Sequence, residues 1–98
     1  MAMVELQPLI DAATNELQVS MTYTKRSGEV TQRIIGIYEI GASEKHGGQM
    51  VVWGWDIAKN DTIRAFLFDS IDSYQVLDAP FARPMPWPIK VNGEIIKA

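Results

Sequence analysis

Hydrophobic residues follow two different periods along this chain. Near its start they recur at the three- and four-residue spacing of a helix face, at Leu6, Leu9, Ile10, Ala13 and Leu17. Pro8 suits the first turn of such a helix, where its missing N–H leaves no hydrogen bond unmade. From Glu16 onwards hydrophobic and polar residues alternate one by one, which is typical of a half-buried strand. The pattern therefore predicts a short helix over residues 7–15, followed by a strand.

Further strands follow, separated by turn signals. They are predicted over residues 30–40, 49–56, 62–68 and 71–77. Residues 25–28 predict a hairpin turn that joins the first two strands. The strand over 30–40 is unusually apolar, which indicates burial on both faces or a bend at Gly36. The glycine-rich residues 41–48 predict a mobile loop, residues 58–61 predict a turn, and Asn92-Gly93 between apolar residues predicts a C-terminal hairpin.

These elements indicate the fold class. One helix followed by closely spaced short strands favours a barrel or a sandwich over a parallel α/β sheet. The length of 98 residues is that of one domain. We therefore predict a mainly β domain with a helix over 7–15, a barrel over 16–77, and a proline-rich tail and hairpin over 78–98.

Composition narrows the possible chemistry. The chain has no cysteine, which excludes disulfides, thiolate catalysis and cysteine-based zinc sites. No apolar run approaches the roughly 20 residues that a membrane helix needs, and no signal peptide is visible, so we expect a cytoplasmic protein that does not enter membranes. The only histidine is His46, no serine lies in a G-x-S-x-G motif, and no phosphate-binding glycine motif occurs. We expect no enzyme activity, no catalytic residue, no metal site and no cofactor.

Charge limits the kind of nucleic-acid contact that is expected. The net charge is −3, which does not supply the positive field that non-specific duplex DNA binding needs. Lys25, Arg26 and Arg33 are nevertheless close together, because all three belong to the predicted first hairpin. Any contact with nucleic acid is therefore expected to be local.

Aromatic residues are the other candidates for binding. Trp53 and Trp55 share one face of their strand, since residues two apart point the same way, and Arg64 and Phe66 share one face of the next strand. If these strands pair as a hairpin, the side chains can form a core face, with Asp56 as the partner of Arg64. Alternatively, a tryptophan and Arg64 form a stacking and charge platform for a base or nucleotide.

The order of motifs resembles the WYL domain. The segments that carry the resemblance are the hairpin with Tyr23, Gly28 and Arg33, then Met50-Val51-Val52, Trp53-Gly54-Trp55-Asp56, Ile63-Arg64-Ala65-Phe66 and Asp69-Ser70-Ile71. The family implies a small Sm/SH3-like barrel that bacterial regulators use to sense ligands, often nucleotides or nucleic acid. Two positions depart from it, because Val51 replaces the motif tyrosine and Ser70 replaces the arginine of the family's Asp-Arg-Ile.

Two functions therefore stay open. The first is a regulatory module that binds a nucleotide, a short single-stranded nucleic acid or another anionic ligand. Its candidate ligand residues are Arg64, Arg33, Tyr23, Lys25, Arg26, Trp53 and Trp55. The second is a protein-interaction or homo-oligomerisation module whose ligand site has decayed, as expected of an accessory or phage-type protein.

Overall fold

The computed structural model describes residues 5–59 and 62–98. Its first element is the helix α1, Gln7–Thr14, with a proline in the first turn. The helix buries Leu9, Ala12 and Ala13 against the sheet. The predicted N-terminal helix is thus confirmed, with its end one residue earlier than expected.

Seven strands follow the helix within the described residues. They are β1 Leu17–Thr24, β2 Val30–Ser43, β3 Gln49–Asp56, β4 Ile63–Leu67, β5 Ile71–Pro80, β6 Ile89–Val91 and β7 Glu94–Lys97. Five of them form the path β4-β3-β2-β1-β5, in which all neighbours are antiparallel. β6 joins β2 in parallel and pairs with β7 through the Asn92-Gly93 turn, so the predicted C-terminal hairpin is confirmed. The fold is mainly β and consistent with a small barrel-like domain, as predicted.

The core lies between α1 and the inner face of this sheet. Alternation in β1 places Val19 and Met21 inside, and both are almost completely buried. The inward-facing residues of β2 include Ile35 and Ile37, which join the same core beneath the helix. Period-two patterning therefore decides which face of each strand the helix covers.

β2 is buried on both faces in its middle. Four consecutive residues from Ile35 to Tyr38 are buried, as the apolar run predicts. A second hydrophobic cluster, Tyr38, Trp55 and Phe81, covers the outer face. Gly36 allows this packing, because a Cβ there would lie 2.1 Å from Cδ1 of Phe81. The C-terminal tail is therefore part of the packed structure.

Some predicted boundaries differ from the structure. The prediction of a mobile loop over residues 41–48 is wrong for the first part of that segment. There β2 continues to Ser43 and pairs with β3 as far as Gln49. Gly41 is buried in this ladder, with backbone atoms of Asn92 3.8 Å from the place that a Cβ would take. A 3₁₀ turn, Glu44–His46, and two glycines with positive φ then complete a tight connection.

Other segments agree more closely with the sequence. Between the strands predicted over 62–68 and 71–77, the chain forms a 3₁₀ turn, Phe68–Ser70. β5 continues to Pro80, three residues past its predicted end, and Pro80 is compatible with a strand terminus. The predicted turn over 58–61 lies partly outside the described residues. In the part of the chain that the structure describes, no helix is long and apolar enough to cross a membrane.

Candidate functional site

Arg33 is the fixed centre of the candidate site. Its Nη1 donates to Oδ2 of Asp56 at 2.9 Å, and its Nε donates to Oγ1 of Thr31 at 3.2 Å. Its guanidinium carbon lies 5.7 Å from the ring centroid of Phe66, within the range of a cation–π contact. β2 places Arg33 one alternate position from the buried Ile35, so the guanidinium stands at the end of the inner face.

Tyr23 packs beside this cation. Its ring meets the Phe66 ring edge to face, with centroids 5.1 Å apart. Its hydroxyl accepts a hydrogen bond from the Leu67 N–H at 3.0 Å. Tyr23 is therefore held in place by both its ring and its hydroxyl. It shapes the site, and its ring is already in contact with Phe66.

Arg64 lies on the same face of β4 as Phe66, two residues away. The β3–β4 register pairs Arg64 with Gly54 and Phe66 with Val52. Arg64 is half-buried there. The structure thus brings Tyr23, Arg33 and Arg64 to the same face of the sheet, as the ligand hypothesis requires.

The two tryptophans lie on the opposite face. In the same register Trp53 pairs with Ala65 and Trp55 pairs with Ile63. Residues directly opposite in an antiparallel pair point to the same side, so the tryptophans cannot share a face with Arg64. The predicted face that combines a tryptophan with Arg64 is therefore wrong.

The tryptophans also differ from each other in their surroundings. Trp55 is only 7% exposed and belongs to the second hydrophobic cluster with Tyr38 and Phe81. Trp53 is half-buried and lines an outer groove next to Trp87. Neither residue contributes to a site with Arg33.

The hairpin cations lie at two neighbouring grooves. Lys25 pairs with Glu29 at 3.3 Å and lines a groove of about 290 Å³ together with Arg33, Asp56 and Lys59. This groove is lined by three cations and two carboxylates, so it keeps an excess of positive charge in a chain of net charge −3.

Arg26 lines a second groove of about 350 Å³, with Tyr23, His46 and Ser70 among its other walls. Nδ1 of His46 lies 2.9 Å from Oγ of Ser43, a contact that fixes the ring within its turn. Arg26 itself is exposed. A cation from the hairpin therefore stands over the same groove as Ser70, the position where the WYL resemblance expects an arginine.

Three features of these surfaces do not follow from the sequence. The strand pattern makes Asp56 a partner of Arg64, but Asp56 pairs with Arg33, which is distant in sequence and adjacent only through the β2–β3 register. Lys59 carries no motif that marks it, and its backbone N–H binds Oδ1 of Asp56 at 3.3 Å. The outer groove beside Trp53 depends on the tail packing against Tyr38, for which the sequence carries no local signal.

Among the described residues, no three acidic or histidine side chains cluster as metal ligands do.

Comparison with solved structures agrees with this picture of the fold. No family model and no curated protein sequence matches the chain. Among solved structures it is similar to the proteasome accessory factor B/C (PafBC) of Arthrobacter aurescens, with a TM-score of 0.67 and 15% identity. The match covers 86% of this chain and 13% of that protein. At this identity the likeness concerns the fold alone.

Proposed function

We propose that this chain is a WYL-like, non-catalytic module that binds an anionic ligand at the hairpin end of its sheet. The ligand class is a nucleotide or a short single-stranded nucleic acid, and the output is regulatory. The order of the sequence motifs and the fold shared with a segment of PafBC support the module. The arrangement around Arg33 supports the ligand class.

The observation that carries this proposal is the way in which Arg33 is held. A guanidinium has five N–H donors, and the hydrogen bonds to Asp56 and Thr31 use only part of them. The planar group is fixed by these bonds and by the Phe66 ring. A guanidinium that is already oriented loses little side-chain entropy when it binds a phosphate or carboxylate, so Arg33 is prepared for an anion.

Neighbouring cations strengthen the same surface. Lys25 and Lys59 line the groove of Arg33, and Arg26 lines the adjoining one. Lys25 and Arg26 are on the exposed tip of the hairpin, where a ligand reaches them without rearrangement of the core. A phosphate chain that crosses the hairpin would meet cations in both grooves.

The two departures from the family pattern bear differently on this site. Val51 is completely buried, so its side chain packs in the protein interior. It presents no aromatic ring on which a ligand could stack. Ser70 leaves a groove in which Arg26 supplies the charge. The proposed binding surface is therefore shifted from the turn after β4 towards the β1–β2 hairpin.

The test is a binding scan at low salt with labelled oligo-dT, oligo-U and a panel of nucleotides. We expect saturable binding that weakens as salt rises, because each phosphate contact releases counterions. Replacing both hairpin cations, Lys25→Ala with Arg26→Ala, should weaken binding by roughly tenfold or more while the fold is kept. Arg64→Ala tests the inner face, and Lys97→Ala, on β7, is the matched control for general loss of charge. The proposal fails if the folded protein binds none of these ligands, or if Lys97→Ala weakens binding as much as the hairpin variant does.

Exposed apolar side chains favour the second candidate function, a protein-interaction or oligomerisation module. Val30 is 62% exposed, Ile34 40% and Ile95 60%. Ile95 is on β7, which in the described sheet pairs only with β6, and a strand with a free edge can accept a strand from another chain. Light scattering over a range of concentrations tests this function. A monomer at all concentrations would argue against self-association, and a dimer abolished by Ile95→Lys would support it.

A further inference from the structure

The outer face of the sheet carries an aromatic groove, which is lined on β2 by Tyr38 and Glu39 and not by the residues next to the β1–β2 hairpin. Its volume is about 340 Å³. Trp53, Glu39 and Lys90 form one row across its floor, because Glu39 pairs with Trp53 in β3 and with Lys90 in β6. Trp87 and Pro88 stand beside this row as a wall. The groove is therefore built by the sheet and the tail together.

The same surface already holds a proline-rich backbone. The tail residues Pro84–Pro88 pass over Tyr38, whose hydroxyl donates to the Met85 carbonyl and accepts from the Met85 N–H, both at 2.9 Å. The Tyr38 ring lies 5.5 Å from the Trp87 ring, at an angle of 61°. Aromatic rings and a tyrosine hydroxyl thus bind a proline-containing segment within this chain.

The polar groups of the groove match an extended peptide. A polyproline II segment makes no internal hydrogen bonds, so its carbonyls can accept hydrogen bonds from the surface that binds it. The indole N–H groups of Trp53 and Trp87 have no hydrogen-bond partner within residues 5–59 and 62–98, and Trp87 is 42% exposed. Lys90 adds a further donor at the edge of the row.

The carboxylate of Glu39, in the middle of the groove, limits which ligands can bind there. Glu39 makes no ion pair with another described residue, and in the row it lies between Trp53 and Lys90. A carboxylate at this place repels a phosphate and attracts a lysine or arginine side chain. Lys90 balances this charge within the row, but the carboxylate itself is left to pair with a basic residue of a peptide.

We propose that the groove formed by Trp53, Glu39, Trp87 and Lys90 binds a proline-rich segment of a partner protein, in the polyproline II conformation and with a basic residue that pairs with Glu39. Proline rings pack on the indoles, as in other aromatic-lined sites for this conformation. The site is on the opposite face of β3 from Gly54 and Arg64, so it is independent of the proposed anion site. The chain would then join a ligand signal on one face to a protein partner on the other.

The test is fluorescence anisotropy with three labelled peptides. They are an oligoproline with a central arginine, the same oligoproline with a central glutamate, and a glycine–serine peptide with a central arginine. We expect saturable binding of the first and weaker binding of the other two. Trp53→Ala should weaken binding of the first peptide by roughly tenfold or more, as is usual for an aromatic anchor.

Two further variants locate the peptide in this groove. Glu39→Gln, which keeps shape and removes charge, should reduce the preference for arginine over glutamate. Arg26→Ala, in a different groove, should leave peptide binding unchanged and so distinguishes this site from the proposed anion site. Circular dichroism confirms the fold of each variant, and Trp87→Ala replaces Trp53→Ala if the latter unfolds.

Three results would overturn the proposal. One is that the folded wild-type protein binds no oligoproline. Another is that the glycine–serine peptide binds equally well, which would reduce the interaction to charge. The third is that GMP or AMP binds in a Trp53-dependent manner while oligoproline does not, which would make the groove a nucleobase site.

Discussion

Arg33 and Asp56 form a nearly buried ion pair across the β2–β3 ladder, with Nη1 and Oδ2 2.9 Å apart. The Asp56 side chain is 3% exposed and the Arg33 side chain 14%. The hairpin pair Lys25–Glu29 spans 3.3 Å, with side chains 45% and 64% exposed. The two pairs are close in space but differ in their solvent environment, and this difference can be measured.

Removal of Asp56 should destabilise the protein strongly. Asp56→Ala leaves the Arg33 charge without its partner in a nearly buried position, which typically costs about 3–5 kcal/mol. It also leaves the Lys59 N–H without its acceptor. Urea unfolding followed by circular dichroism measures the free energy of unfolding.

The matched control is Glu29→Ala, which breaks the exposed pair. Pairs of this kind contribute about 0–1 kcal/mol, and salt screens them. Equal effects of the two substitutions would show that the Arg33–Asp56 pair is solvated in solution.

A methyl group at Gly36 should disturb the packing of the tail. The added Cβ would lie 2.1 Å from the Phe81 ring, so Phe81 must leave its place in the second hydrophobic cluster. Overpacking of this kind typically costs about 1–3 kcal/mol, and the loss of a buried phenylalanine contact adds to it. We expect Gly36→Ala to lower the thermal midpoint markedly.

Gly41→Ala is the control on the same strand. A Cβ there would have its nearest neighbour at 3.8 Å, an ordinary contact. The substitution also reduces the freedom of the unfolded chain, so its effect should be near zero or slightly stabilising. A similar loss in both variants would mean that the strand, and not Phe81, is sensitive at these positions.

Much of this fold follows from local pattern. The alternation from Leu17 to Tyr23 predicts which face of β1 is buried, and Asn92-Gly93 predicts the last hairpin. Composition is misleading at residues 41–48, since their small residues predict a loop, whereas Gly41 is buried in a ladder between β2 and β3. Glycine content shows where a backbone has freedom, but long-range pairing decides whether it is used.

Less of the candidate site than of the fold can be predicted from the sequence. The position of Arg33 near Tyr23 can be predicted, because both residues belong to the first hairpin. The predicted relation of Trp53 to Arg64 is wrong because it depends on the β3–β4 register, and a shift of one residue reverses which side chains share a face. Tyr38 and Trp87 are 49 positions apart, and only tertiary packing joins them.

Alkaline pH should lower the free energy of unfolding through the ionisation of the Tyr38 phenol. Burial raises the pKa of the Tyr38 phenol above its ordinary value of 10.0, although the backbone contact with Met85 and the charge of Arg83 oppose this. The unfolded chain therefore releases the proton at a lower pH than the folded protein does. Below about pH 10 this group does not change the stability, and above it the free energy of unfolding falls until the folded phenol ionises as well.

Tyr38→Phe should make this alkaline fall shallower. At neutral pH the variant is less stable, because it loses both hydrogen bonds to Met85, each contributing about 0.5–1.5 kcal/mol. Thermal melts at about pH 8 and about pH 11 measure the slope. Tyr74→Phe is a useful comparison, since burial and the Glu5 carboxylate raise the pKa of Tyr74 too. Parallel curves for wild type and Tyr38→Phe would contradict the assignment.

Arg83 should control the order of the tail that completes the aromatic groove. Its Nη1 donates to the Trp87 carbonyl at 2.8 Å, its Nη2 donates to the Ala98 carbonyl at 3.1 Å, and its Nε lies 3.0 Å from Oε1 of Glu16. One side chain thus joins the proline-rich segment, the C-terminus and the start of β1. Arg83→Ala should increase amide hydrogen exchange at Trp87 and its non-proline neighbours, and exchange followed by mass spectrometry measures it.

Glu16→Gln is the matched control for Arg83→Ala. It removes the ion pair but leaves both bonds from Arg83 to backbone carbonyls, so exchange in the tail should stay close to that of the wild type. The tail bonds are charge-assisted and worth more than an exposed ion pair, which is why the two variants should differ. If Glu16→Gln loosens the tail as much as Arg83→Ala does, the ion pair with Glu16 positions Arg83, and the carbonyl bonds follow from it.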